Sequence, residues 1–94
     1  MKARLTALCF CIVCLLIHAL AADPAEAEIK LFQEIFAKAE KGVAESQYEL
    51  AMAFDTGQLG VTKDEYAAAR WYRKAAEQNH ARAQTNLGFM YEQG

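Results

Sequence analysis

Beyond residue 22 the apolar positions recur every three or four residues, and no segment alternates with period two. That pattern predicts amphipathic helices and no strand. Ile29, Phe32, Ile35, Phe36 and Ala39 mark the packing face of a first helix over about 24–41. Asp23 can cap it, Pro24 suits its first position, Glu26 lies three residues after the cap, and Gly42 ends it. A second helix is expected from about Ala44 to Asp55, burying Ala44, Leu50, Ala51 and Phe54, with Gln47 buried in part. "TGQLGVTKDE" is the one real loop: Gly57 and Gly60 permit positive φ, and Val61 can tuck into the core. Thr62-Lys63-Asp64-Glu65 reads as a capping box for a third helix over about 63–78. Its expected packing residues are Tyr66, Ala69, Trp71, Tyr72, Ala75 and Ala76. Asn79 stands where a left-handed terminating residue belongs, and a fourth helix runs from about Ala81 to Gln93.

Isolated helices of these lengths are marginal in water, so they must stack on one another. Ala44, Ala51, Ala69, Ala76, Ala81 and Gly88 are small at regular places, which lets helix axes approach closely. Phe54, Trp71, Tyr72 and Tyr91 would fill the gaps. A shift of the sequence against itself explains the regularity. At an offset of 37, Ala39, Glu40, Ala44, Gln47, Leu50 and Gly57 fall on Ala76, Glu77, Ala81, Gln84, Leu87 and Gly94. Phe54 meets Tyr91, Met52 meets Phe89 and Asp55 meets Glu92. Small residues lie over small ones and aromatics over aromatics, as a repeated packing unit requires. The expected fold is all-α, an α-solenoid of antiparallel helix pairs.

The first twenty-odd residues read differently. Lys2 and Arg4 precede an apolar run from Leu5, and small residues follow. This is the order of a secretory signal peptide, with Ala19-Leu20-Ala21 fitting the cleavage pattern and cleavage expected after Ala21 or Ala22. The rival reading is an uncleaved membrane anchor: the run from Leu5 to Ala22 is just long enough to span, although His18 interrupts it. Cys9, Cys11 and Cys14 all lie in this run, so the mature part has no cysteine for a disulfide or a metal site. The mature part is thus expected to be exported, periplasmic or secreted, and to touch a membrane only if the N-terminal segment stays uncleaved.

All twelve acidic residues but only eight of the ten basic ones lie beyond residue 22, giving that part a net charge of −4. With no basic stripe, nucleic acid is not an expected partner. The segment from Ala44 to Gly94 resembles the Sel-one-like repeat family, a branch of the tetratricopeptide-type helical repeats, and the resemblance covers about residues 30–94. The resemblance is carried by Ala44, Gln47, Leu50, Gly57, Gly60-Val61, Asp64, Ala68, Trp71-Tyr72 and Lys74-Ala75-Ala76-Glu77. It continues in Ala81, Ala83, Gln84, Leu87-Gly88, Tyr91 and Gly94. Ala51 and Phe54 replace a usual glycine and tyrosine, Asn79 stands where glycine is common, and the Gly57–Gly60 loop is one residue long for the short family form. The resemblance divides residues 22–94 into a lone second-type helix (24–41), one full unit (44–78) and a partial unit (81–94). It thus implies a truncated repeat array; the alternative is a complete short protein that finishes its core by dimerising.

The catalytic inventory is nearly empty. No P-loop, dinucleotide fingerprint, zinc motif or serine elbow appears, so no catalytic residue, cofactor or metal is expected. His80 reads as an exposed loop residue, and Asp64-Glu65 as first-turn acids favoured by the helix dipole. The resemblance implies an interaction scaffold that binds a protein or peptide on the concave face of the array. The alternative is a cell-envelope enzyme, or an enzyme-associated factor, acting on cell-wall-type ligands. For the scaffold, the first helix of each unit would line the groove. Glu45, Glu49 and Met52 share a stripe left over by packing, and their counterparts 37 residues on are Arg82, Asn86 and Phe89. These six are the candidate partner-binding residues, with Met52 and Phe89 as apolar anchors, unless those two pack against a neighbouring helix instead.

Overall fold

The computed structural model describes residues 24–94, so the expected signal peptide, its cleavage site and Asp23 lie outside the described residues. Four helices follow in order: α1 (Pro24–Glu40), α2 (Ala44–Thr56), α3 (Glu65–Glu77) and α4 (Ala81–Glu92). Each packs on the next, antiparallel, α2 against α3 most extensively. The short α1–α2 and α3–α4 turns enforce the reversal.

The two turns are the same object 37 residues apart. Val43 N–H donates to Lys38 C=O at 3.1 Å and Gly42 N–H to Ala39 C=O at 3.0 Å; His80 N–H donates to Ala75 C=O at 3.2 Å and Asn79 N–H to Ala76 C=O at 3.0 Å. Both pairs are the bonds of a Schellman ending. Its left-handed residue is Gly42 in one turn and Asn79, with φ of 66°, in the other. The two repeated glutamines then serve the same carbonyls. Gln47 Nε2 donates to Ala39 C=O and Gln84 Nε2 to Ala76 C=O, each at 3.2 Å. A helix-end carbonyl that already accepts from the turn thus takes a second donor from a side chain of the following helix, twice.

Packing is built mainly from alanine. One cluster joins Tyr48, Ala51, Ala68, Tyr72, Ala75 and Ala83; a second joins Ile35, Ala39 and Leu50. Phe54 and Trp71 touch both. Tyr72 and Leu50 are the largest fully buried side chains. α2 lies between two neighbours, so it buries Ser46, Gln47, Tyr48, Leu50, Ala51 and Ala53 and leaves only Glu45, Glu49 and Thr56 fully exposed. Among the described residues α1 has a neighbour on one side only. The positions 37 before the buried Ala67, Ala68 and Ala75 are Lys30, Leu31 and Lys38, all exposed.

Several sequence expectations need correction. α3 starts at Glu65, not Lys63: the cap is Asp64, whose Oδ1 accepts from the N–H groups of Tyr66 and Ala67, so Thr62 opens no capping box. Tyr66 is 88% exposed rather than packed. It belongs to a stripe with Arg70, Arg73 and Glu77, all exposed, whereas the inner face runs through Ala68, Tyr72 and Ala75. Ile29 and Phe36 are also exposed, because among the described residues no second helix packs on that side of α1. Phe36 still meets Trp71 edge-on, ring centres 6.1 Å apart. In the loop, Leu59 takes a positive φ of 58° and packs on the Ile35–Leu50 cluster, while Val61 is half-buried.

Candidate partner-binding groove

Tyr72 ties together the two first-type helices, α2 and α4. Its ring is buried in α3, and its hydroxyl donates to Asp55 Oδ2 at the end of α2 and accepts from Asn86 Nδ2 in α4, both at 3.2 Å. Burial pushes the phenol up to about 12; the bond from Asn86 opposes this, and the Asp55 carboxylate adds to it. The hydroxyl is therefore a fixed neutral donor that holds the helices in register.

In front of this bridge lies an open groove of about 380 Å³. Asp55 and Asn86 line it with Glu65 from the start of α3 and Phe89, Met90 and Gln93 from the α4 end. Phe89 is 60% exposed and is the groove's open aromatic surface. Met90 packs partly on the Tyr72 cluster, so this wall is anchored to the core.

Of the six residues expected to bind a partner, Asn86 and Phe89 line this groove. Met52 is half-buried and packs on the Tyr48–Tyr72 cluster, so of the two expected apolar anchors only Phe89 stands open. Glu45 is held by His80. Glu49 and Arg82 are exposed on α2 and α4 but do not line the groove. Sequence reasoning missed Asp55, Glu65, Met90 and Gln93. A signal for Asp55 existed: it sits three residues beyond Met52 and continues the Glu45–Glu49–Met52 stripe. Glu65 comes from another helix, and nothing in the spacing points to it.

His80 is not the exposed loop residue expected from sequence; its side chain is only 13% exposed. It caps α4, with Ala83 N–H donating to Nδ1 at 3.2 Å. That places the ring proton on Nε2, which faces Glu45 Oε2 at 2.6 Å. The ring stacks on Tyr48 at 4.7 Å. Beside it Gln78 Nε2 reaches both Gly42 C=O and Gln47 Oε1, each at 2.9 Å. These contacts lock one inter-helix turn to the other. They offer no nucleophile, and the histidine is consumed by structure. Among the described residues no group of three His, Cys, Asp or Glu side chains is placed to hold a metal ion. No described helix is long and apolar enough to cross a membrane.

The Sel1 repeat model matches residues 44–80 and again 81–94. The first match covers α2, α3 and the turn through His80; the second covers α4. No curated protein and no solved structure matches the chain. Repeats of this type are generally protein-interaction scaffolds and are typically non-catalytic. Since the two matches span more than half of the chain and coincide with the repeated turns, glutamines and packing, the protein belongs to the Sel1 repeat family.

Proposed function

We propose that this protein is an exported scaffold that holds a polypeptide partner in the groove between α2 and α4. The observation that carries the reading is the groove itself. A hydrogen-bonded bridge through Tyr72 joins its two walls, and Phe89 stands open on one of them. Aromatic side chains and methionine are enriched in the buried cores of protein interfaces relative to the rest of the surface. Asn86 and Phe89 are the proposed contacts from the α4 wall. Glu49 and Arg82 would lie outside the central contact. Export rests on Lys2 and Arg4, the apolar run behind them and Ala19-Leu20-Ala21, and it places the partner in the periplasm or outside the cell.

The test compares Phe89→Ser with Tyr66→Ser in affinity capture from the protein's own cells, quantified by mass spectrometry. Both side chains are exposed, so neither change should move stability by more than about 0.5 kcal/mol. The expected result is that Phe89→Ser loses specific partners that Tyr66→Ser keeps. Retention of every partner by Phe89→Ser would remove the groove from the function.

A further inference from the structure

The groove has a definite charge. Asp55 and Glu65 contribute carboxylates, Asn86 and Gln93 amides, and Phe89 and Met90 an apolar wall; among the described residues no lysine or arginine lines it. Asp55 is half-buried, and Tyr72 occupies only its Oδ2. Among the described residues no cation lies within ion-pair distance of it. Glu65 meets Lys63 at 3.6 Å, but both side chains are exposed, and such a contact neutralises little. A carboxylate partly removed from water without a cation is costly, and that cost falls when a cationic group arrives. α2 reinforces the sign of the field, with Glu45, Glu49 and Asp55 and no basic residue.

We infer that the groove takes a lysine or arginine side chain of the polypeptide partner. The inference rests on the reading of this groove as the polypeptide site and adds the chemistry of its occupant. The geometry suits both halves of such a side chain. The aliphatic stem lies along Phe89 and Met90, as long basic side chains cover apolar surface elsewhere. The charged head sits among Asp55, Glu65 and the side-chain carbonyls of Asn86 and Gln93, with the exposed face of Phe89 available for a cation–π contact. An acidic segment would meet two carboxylates and no countercharge.

The experiment is selection of a random-sequence displayed peptide library on the full chain. The selected peptides are then measured against Phe89→Ser, the double variant Asp55→Asn with Glu65→Gln, and Glu49→Gln. Asn at position 55 keeps an acceptor for Tyr72, so the double variant removes charge without removing the bridge. The expected outcome is a shared lysine or arginine beside apolar residues. Affinity should fall about tenfold or more in the carboxylate variant and in Phe89→Ser, and hold in Glu49→Gln. Peptides sensitive to Phe89→Ser but indifferent to the carboxylate variant would overturn the basic-ligand inference and leave the polypeptide groove standing. Peptides indifferent to both, or no selected peptide, would overturn the inference and the groove together.

Discussion

Tyr72→Phe removes one oxygen and keeps the ring, so it isolates the bridge between α2 and α4 from the packing around it. Two hydrogen bonds go, one to the Asp55 carboxylate and one from the Asn86 amide. A bond to a charged group contributes about 1.5–3 kcal/mol and a neutral one about 0.5–1.5 kcal/mol. Both are long at 3.2 Å, and Asp55 and Asn86 are only half-buried, so water can replace part of what is lost. The expected cost is therefore about 1–2 kcal/mol. In a domain of this size that lowers Tm by roughly 4–15 °C. The pH dependence gives a second signature. The folded phenol ionises near 12 against an ordinary value of 10.0, so its contribution is complete below pH 10.0 and lost as pH rises towards 12. Two pH units correspond to about 2–3 kcal/mol at most. Urea unfolding followed by circular dichroism at neutral pH and across this alkaline window measures both. The wild type should lose stability faster than Tyr72→Phe as pH climbs. Equal stability at neutral pH would mean that the bridge does not exist, whereas parallel alkaline loss would mean that the phenol is not buried, since burial is the main cause of its raised pKa.

Gln47→Ala and Gln84→Ala remove the same bond in successive units, yet their costs should differ. Gln47 is buried and also accepts from Gln78, so its loss should cost about 1–3 kcal/mol, whereas Gln84 is exposed and its loss should cost under about 1 kcal/mol; denaturant midpoints of the two variants decide it. Trp71 is half-buried, touches both clusters, and carries Lys74 Nζ 4.5 Å above its ring. Trp71→Ala should cost about 2–4 kcal/mol, and a loss under about 1 kcal/mol would place the ring outside the packing described. Asn79→Ala puts a Cβ-bearing residue without a polar side chain at a φ of 66° and should cost about 1 kcal/mol by the same measurement. Processing is checked separately: intact-mass analysis of the protein from its own cells should give an N-terminus at Ala22 or Asp23, and a chain retaining Met1–Ala21 in the membrane fraction would favour an anchor.

What the sequence made legible was whatever the backbone itself demands. Asn79, Gly42 and Gly57 sit at positions of positive φ, and a residue able to adopt it is visible as a letter. Gln47 and Gln84 stood out because a carbonyl at the same point of a repeated turn needs the same donor. The helices and the 37-residue period were readable for that reason. Which way an aromatic faces was less so. Tyr66 and Tyr72 are equally apolar in a periodicity argument, but only Tyr72 lies on the face that runs through Ala68 and Ala75. α2 blurred the pattern further: flanked on two sides, it buries residues all round, and its few exposed positions look like a binding stripe whether or not they form one. The groove was the least legible feature. Asp55, Tyr72 and Asn86 meet through the relative height of three packed helices, which no spacing along one chain encodes. His80 looked like loop punctuation because its roles, a cap on α4 and a contact to Glu45, both depend on the turn beside it.

Whether partners are held in the groove between α2 and α4 is decided by site-specific photo-crosslinking. A benzophenone side chain placed at Phe89 reports on the groove, and the same group at Tyr66 reports on the exposed stripe of α3 away from it. On irradiation in the protein's own cells, position 89 should yield discrete adducts that Asp55→Asn with Glu65→Gln diminishes, and position 66 should not. Adducts from position 66 equal to or stronger than those from position 89 would mean that partners are not held in the groove.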